Sequence, residues 1–172
     1  MAVIRFSDRE YPTLGELPEV GQPAPDFSVV DGHFRNVGLA EFKHKLLVLN
    51  IFPSIDTPTC SASVKRFNEM AVKLTDVSVL CVSADLPFAQ KRFCDSFSLE
   101  DVHPLSTFRG DVGQTFGVEI AEGPMQGLMS RAVVIVDSFG KVRYTQHVID
   151  LLNTAVDYTK VWQVLSQPYR LD

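Results

Sequence analysis

The chain has 172 residues, enough for one ordinary domain with one substantial core. Hydrophobic residues make up 45% and charged residues 22%, which excludes a disordered or fibrous chain. A net charge of −5 and the lack of any basic stripe argue against nucleic acid or an anionic membrane as the main partner. The longest apolar run, residues 46–52, is interrupted by Asn50 and stopped by Pro53, far short of the roughly 18 residues of a membrane span. The opening residues carry Arg5, Asp8, Arg9 and Glu10 and no apolar h-region, so a cytoplasmic protein is expected rather than a secreted one.

Residues 2–6 and 11–15 alternate weakly around Asp8-Arg9-Glu10 and predict a small N-terminal β-hairpin within an extension over 1–20. Gly21-Gln22-Pro23-Ala24-Pro25 is a rigid connection, and 27–30 is a short strand. Residues 46–52 read as a buried strand, apolar on both faces. A loop after Pro53 leads to a helix over 58–73, with Val64, Phe67, Met70, Ala71 and Leu74 at helical spacing. A second buried strand covers 77–84. Asp85 then stands as the cap of a short helix that begins near Pro87 and carries Cys94. A short strand at 102–105 and a short helix at 112–116 follow. Strands at 131–137 and 141–148 are joined through Ser138-Phe139-Gly140, and the last helix runs over 156–166. Strands alternating with helices imply a parallel core, and the closing hairpin adds an antiparallel edge. The expected fold is α/β and thioredoxin-like: one domain over 1–172, with a central mixed β-sheet flanked by helices.

Three cysteines, Cys60, Cys81 and Cys94, are too few for a disulfide scaffold, and odd in number. In a reducing compartment a thiol pair is more often redox-active than structural. No histidine (His33, His44, His103, His147) falls three to five positions from another histidine or from a cysteine, so no zinc site is expected. No Gly-rich phosphate loop and no Gly-x-Ser-x-Gly elbow occurs.

The informative segment is Pro53-Ser54-Ile55-Asp56-Thr57-Pro58-Thr59-Cys60. Thr57 suits an N-cap and Pro58 the first helical position, which puts Cys60 in the first turn. Free amides and the positive helix end favour a thiolate there, and such sites bring a thiol from about 8.5 into roughly the 3.5–7.5 range. The Thr57 hydroxyl can accept from the helix amide and still donate toward the sulfur or a bound oxygen. Thr57 occupies the place of the first cysteine of a Cys-x-x-Cys pair, so the local dithiol of a reductase is absent. A lone nucleophile beside a hydroxyl fits attack on an oxygen electrophile. A buried structural cysteine with an ordinary cap is the competing reading.

Pro53, Thr57 and Cys60 match the Pro-x-x-x-Thr-x-x-Cys signature of the peroxiredoxins, which the chain resembles. Gly21-x-x-Ala24-Pro25-Asp26-Phe27 resembles the family's entry segment. The stretches Asn50-Ile51-Phe52-Pro53-Ser54-Ile55-Asp56-Thr57 and Ser83-Ala84-Asp85-Leu86-Pro87-Phe88-Ala89-Gln90-x-Arg92-Phe93-Cys94 resemble the bacterial thiol peroxidase branch. Pro58-Thr59 departs from the small or apolar residues of many members, but Pro58 suits a helix start.

The resemblance implies that Cys60 attacks a hydroperoxide and becomes a sulfenic acid, with hydrogen peroxide and alkyl hydroperoxides as substrates. Thr57 would hydrogen-bond thiolate and peroxide, and Pro53 would shield the sulfur. Arg131, in Ser130-Arg131-Ala132-Val133, would stabilise developing negative charge; by residue type alone it is a solvated strand-end cation. Cys94 would be the resolving cysteine, closing a Cys60–Cys94 intrachain disulfide that thioredoxin recycles. By residue type Cys94 is equally a core cysteine, and Cys81 is a core residue without chemistry. The resemblance further implies a homodimer and no metal, haem or nucleotide cofactor. The loop 123–129 is a candidate apolar rim favouring alkyl hydroperoxides, or a surface loop with adaptable Met packing. A redox sensor or relay using the same cysteine pair, and an inert thioredoxin-like binding module, are the alternatives.

Overall fold

The computed structural model describes residues 1–42 and 46–167; His44 lies outside them. The chain opens with strands β1 (Val3–Phe6) and β2 (Arg9–Pro12), paired antiparallel. The hairpin is where the sequence places it, but its turn comes earlier. Ser7 takes a left-handed φ of 55° and turns the chain at Ser7-Asp8, so Arg9 and Glu10 are already strand. Ile4 on β1 joins Ile120 and Leu151 in a small satellite core that fastens the hairpin to the body.

The main sheet has seven strands: β3 (Val29–Val30), β4 (Asn36–Val37), β5 (Leu46–Ile51), β6 (Val77–Ser83), β7 (Val102–Ser106), β8 (Arg131–Val136) and β9 (Val142–Val148). Their order is β4-β3-β7-β6-β5-β8-β9. Strands β5, β6 and β7 run parallel, whereas β8 pairs antiparallel with β5, β9 with β8 and β3 with β7. This is the mixed sheet expected of a thioredoxin-like fold. Strand β4 has no counterpart in the sequence reading, because two residues are too few to establish a period of two. Strand β3 is likewise half the predicted length.

The helices are α1 (Pro58–Val72), α2 (Pro87–Ser96), the single turn α3 (Val112–Thr115) and α4 (Tyr158–Ser166). Predicted helix ends differ from these by one or two residues, as fraying ends do. The last helix starts two residues later than predicted, at Tyr158, behind a cap in which the Asp157 carboxylate accepts from the Lys160 amide.

The central strands are apolar on both faces because both faces are covered. Val48, Val79, Cys81, Val133 and Ile135 face the helical layer with Phe67 and Met70 of α1 and Val161 and Leu165 of α4. Leu47, Leu49, Leu80, Val82, Val134 and Phe116 fill the opposite side. Phe67 is fully buried, and truncating such a phenylalanine to alanine costs about 3–5 kcal/mol.

The sequence makes Asp85 the cap of α2, and the structure corrects this. Leu86 holds the N-cap position in extended backbone, with no side-chain hydrogen bond to the helix. The Asp85 carboxylate is taken by donors on the neighbouring loop instead.

Candidate active site

The site lies where the parallel strands end, the edge at which open α/β sheets hold their ligands. Ile51 of β5 stands opposite Val82 of β6 and Ala132 of β8. One step further along that register, the loop leaving β5 runs between the end of β6 and the start of β8. The register therefore brings Asp85 beside Ser54 and sets Arg131 alongside Phe52-Pro53.

Thr57 is the N-cap of α1, extended at φ −86° and ψ 143°, and Pro58 follows at the first helical position. Proline lacks the N–H that would be unpaired there, and its fixed φ suits the helix. The Thr57 Oγ1 accepts the amide N–H of Cys60 at 3.2 Å and donates to the Ser54 carbonyl at 3.2 Å. The donor hydrogen that the sequence reading aims at the sulfur thus rests on a loop carbonyl. That contact is long for an O–H donor, so a bound oxygen can compete for it.

Cys60 begins the inward stripe of α1, continued by Ser63, Val64, Phe67 and Met70, and its side chain is only 1% exposed. Pro53 is buried beside the loop. A thiol so covered is closed to a protein surface. The first turn is pinned from below as well. Ser63 Oγ donates to the Cys60 carbonyl at 2.9 Å, and Asn50 Nδ2 donates to Ser63 Oγ at 3.2 Å and to Cys81 Sγ at 3.8 Å. This explains the polar residue that interrupts the apolar strand β5.

Arg131 is 2% exposed, so it is not a solvated strand-end cation. It alternates with Val133 and Ile135 on the sheet face that α1 covers, and its Nη1 donates to the Thr154 carbonyl. Tyr158, at the start of α4, packs edge-on against Phe67 with ring centroids 5.8 Å apart. Burial pushes its phenol up, and the Arg131 and Arg66 guanidinium groups work against that rise. The sequence reading misses Tyr158, whose contribution depends on where α4 packs.

All three cysteines are free thiols in one core cluster. Cys94 is buried on the inner face of α2 with Pro87 and Gln90, and burial, with Asp95 beside it, pushes its thiol up to about 11. Burial pushes the Cys81 thiol up to about 12, against the Asn50 hydrogen bond. The loop 123–129 does not offer its methionines as a rim. Met129 is buried in the core opposite the helical layer, and Met125 packs against the Ile4 cluster. Side-chain sulfur finds more contacts inside than at an entrance.

The sequence reading also misses Ser54, Ser83 and Gln90, which join Asp85 in one hydrogen-bonded group. Their signal was available: Ser-x-Asp directly after a buried strand that runs parallel to the strand before the cysteine loop.

Comparison with known proteins places the chain in a family. A model of the Redoxin family matches residues 19–160. A thiol peroxidase of Corynebacterium glutamicum is 44% identical over 158 residues, covering 92% of this chain and 95% of that protein. A thiol peroxidase of Mycobacterium tuberculosis is 47% identical over 151 residues, covering 88% and 91%. Among solved structures, a peroxiredoxin-like protein from Aquifex aeolicus superposes with a TM-score of 0.88 at 35% identity, covering 96% of each chain. A thiol peroxidase from Chromobacterium violaceum has a TM-score of 0.87 at 22% identity over 96% of each chain, which speaks to the fold. The family match across most of the chain, the identity to the two actinobacterial proteins and the cysteine seated in a capped first turn lead to one assignment: this chain belongs to the redoxin family, in its thiol peroxidase branch.

Proposed function

We propose that the chain is a thiol-dependent peroxidase that reduces hydrogen peroxide and alkyl hydroperoxides, with Cys60 as the reacting thiol. The observation that carries this is the placement of Cys60 in the first turn of α1, under a Thr57 cap and on the covered face where Arg131 is buried. The Cys60 thiolate attacks one peroxide oxygen and the O–O bond breaks. Sulfur is oxidised to the sulfenic acid, and the departing oxygen takes a proton to leave as water or alcohol. Backbone amides of the helix start and the Arg131 guanidinium stabilise the charge that moves onto oxygen. The Thr57 hydroxyl turns from the Ser54 carbonyl to the bound peroxide, and buried Pro53 keeps bulk water from the sulfur.

Cys94 is the resolving residue of this reading. Its thiolate attacks the sulfenic sulfur, the S–O bond breaks, and water leaves as the Cys60–Cys94 disulfide forms. In the closed form both thiols are covered and Cys94 is held protonated. Resolution therefore requires the first turn of α1 and the end of α2 to open. The same opening exposes the disulfide to thioredoxin, whose dithiol supplies the two electrons that restore both thiols.

A homodimer is the matching assembly. Phe88, Leu86, Phe34 and Phe108 are 72%, 52%, 40% and 44% exposed, and the Phe34 and Phe88 rings lie 5.0 Å apart. A monomer rarely leaves such a group uncovered. Among the described residues no helix is long and apolar enough to cross a membrane, and we place the protein in the cytoplasm.

The test is steady-state consumption of cumene hydroperoxide and hydrogen peroxide with thioredoxin and its reductase. Cys60→Ser should abolish turnover. One equivalent of peroxide should lower the intact mass of the reduced chain by about 2 Da, as an intramolecular disulfide requires. Oxidation without turnover under these conditions would point to a sensor or relay instead.

A further inference from the structure

The loop between β5 and α1 has no regular structure, yet it must hold Thr57 and Cys60 in a reactive geometry. One side chain binds it from outside. Asp85 Oδ2 accepts the amide N–H of Ile55 at 2.9 Å, and Asp85 Oδ1 accepts the Ser54 hydroxyl at 2.8 Å. Ser54 then organises the rest of the loop. Its Oγ accepts the Asp56 amide at 3.1 Å, and its carbonyl accepts the Thr57 amide and hydroxyl, each at 3.2 Å. Thr57 in turn accepts the Cys60 amide. An unbroken run of hydrogen bonds leads from Asp85 to the backbone of Cys60.

Asp85 is itself held firmly. Ser83 Oγ donates to Asp85 Oδ2 at 2.6 Å. Gln90 Nε2 donates to Ser83 Oγ at 3.2 Å and to the Leu105 carbonyl at 2.8 Å. Ser83 and Gln90 are 0% and 2% exposed. Gln90 lies one turn before Cys94 on the same buried face of α2. The frame that fixes the Cys60 loop is therefore built on the end of β6 and on the helix that carries the other thiol.

We propose that Asp85 is a positioning residue for the peroxide step, holding the loop closed so that Thr57 and Cys60 face an incoming hydroperoxide together. This rests on the peroxidase reading of Cys60. Asp85 touches neither thiol nor substrate; it acts through Ser54 and Ile55. Removing its carboxylate takes the acceptor away from the Ile55 amide and from the Ser54 hydroxyl hydrogen and frees the loop to open. An open loop hinders the peroxide step, which needs the closed geometry, and does not hinder the disulfide step, which needs opening.

The experiment is stopped-flow measurement of both steps in the full chain, by rapid-quench intact mass, for the wild type, Asp85→Ala, Ser54→Ala and the double variant. Asp85→Ala should lower the second-order rate constant with hydroperoxide on the order of 10- to 100-fold, as for an ångström-scale misplacement. Its disulfide step should be as fast as in the wild type or faster. Ser54→Ala should show a smaller loss with the same split, and the double variant should lose less than the product of the two singles. Equal slowing of both steps, multiplicative losses, or a wild-type peroxide rate in Asp85→Ala would overturn the proposal. Should Asp85→Ala fail to fold, Ser54→Ala decides alone: a peroxide-step loss with an unslowed disulfide step supports the role, and any other result removes it. A wild-type chain that consumes no hydroperoxide defeats the peroxidase reading itself. An active wild type beside an equally active Asp85→Ala defeats only the role of Asp85.

Discussion

The hydroxyl oxygen of Thr57 accepts the backbone N–H of Cys60 at 3.2 Å, so the residue that starts helix α1 also fixes the turn on which the thiol sits. Thr57→Val keeps the shape and removes both the cap and the donor. It should cost about 1 kcal/mol of stability, the usual worth of an N-cap, and lower the peroxide rate constant well beyond what that loss explains. Thr57→Ser should recover most of both. Thermal melts and stopped-flow oxidation, run on the same samples, separate the two effects.

Arg131 should tolerate no simple replacement. Arg131→Ala removes a buried cation and its hydrogen bond to the Thr154 carbonyl, and a hydrogen bond from a charged group is worth about 1.5–3 kcal/mol of stability. Loss of an oxyanion donor costs on the order of 10²–10³ in rate. Arg131→Lys should restore charge but not the planar fork, and so recover only part of the rate. Hydroperoxide consumption at saturating reductant, set beside a urea melt, measures both quantities.

The pH profile of disulfide formation tests whether Cys94 must leave its pocket before it reacts. In the closed form its thiol is pushed up to about 11. Attack from that form would speed up about tenfold per pH unit from neutrality to pH ~10, because only the thiolate attacks. Attack from a chain that stands mostly open once Cys60 is oxidised should instead level off near the ordinary thiol value of about 8.5. We expect the levelling, read from the resolution phase of single-turnover oxidation. Cys94→Ser should complete one oxidation, stop, and carry added oxygen in its intact mass.

Cys81 predicts an alkaline weakness. Its folded thiol is pushed up to about 12, above the ordinary value of about 8.5 in the unfolded chain. The unfolded state therefore releases a proton first as pH rises, and folding stability is full below pH ~8.5 and falls as pH climbs toward 12, by at most about 1.4 kcal/mol per unit for this thiol. Cys94 adds to the fall in the same direction up to about 11. Cys81→Ala should lower stability at pH 7 through the cavity it leaves, yet flatten the loss between pH 9 and 11. Denaturant melts across that range would contradict this if the variant's slope matched the wild type's.

Local chemistry was legible in the residues themselves. Thr57-Pro58 states a helix start by cap geometry and fixed φ, and Cys60 follows in the first turn whatever the rest of the chain does. The double-sided apolar character of β5 and β6 announces central strands covered on both faces. Asp85 misled for a physical reason. An aspartate just before Pro87 has the form of a cap, and only the parallel pairing of β5 with β6 brings competing donors within reach of its carboxylate. The same holds for Arg131, whose burial depends on α1 and α4 packing over the start of β8.

The order of the residues by itself determined most of the elements and the seat of Cys60 in a capped first turn, because caps, periodicity and proline geometry act over a handful of neighbours. Tertiary structure alone decided what surrounds Cys60: which carboxylate holds its loop, which cation is buried on its side of the sheet, and that both candidate redox thiols lie covered in one core. Those facts arise from strand order and register, which join residues tens of positions apart through hydrogen bonds that no local pattern encodes.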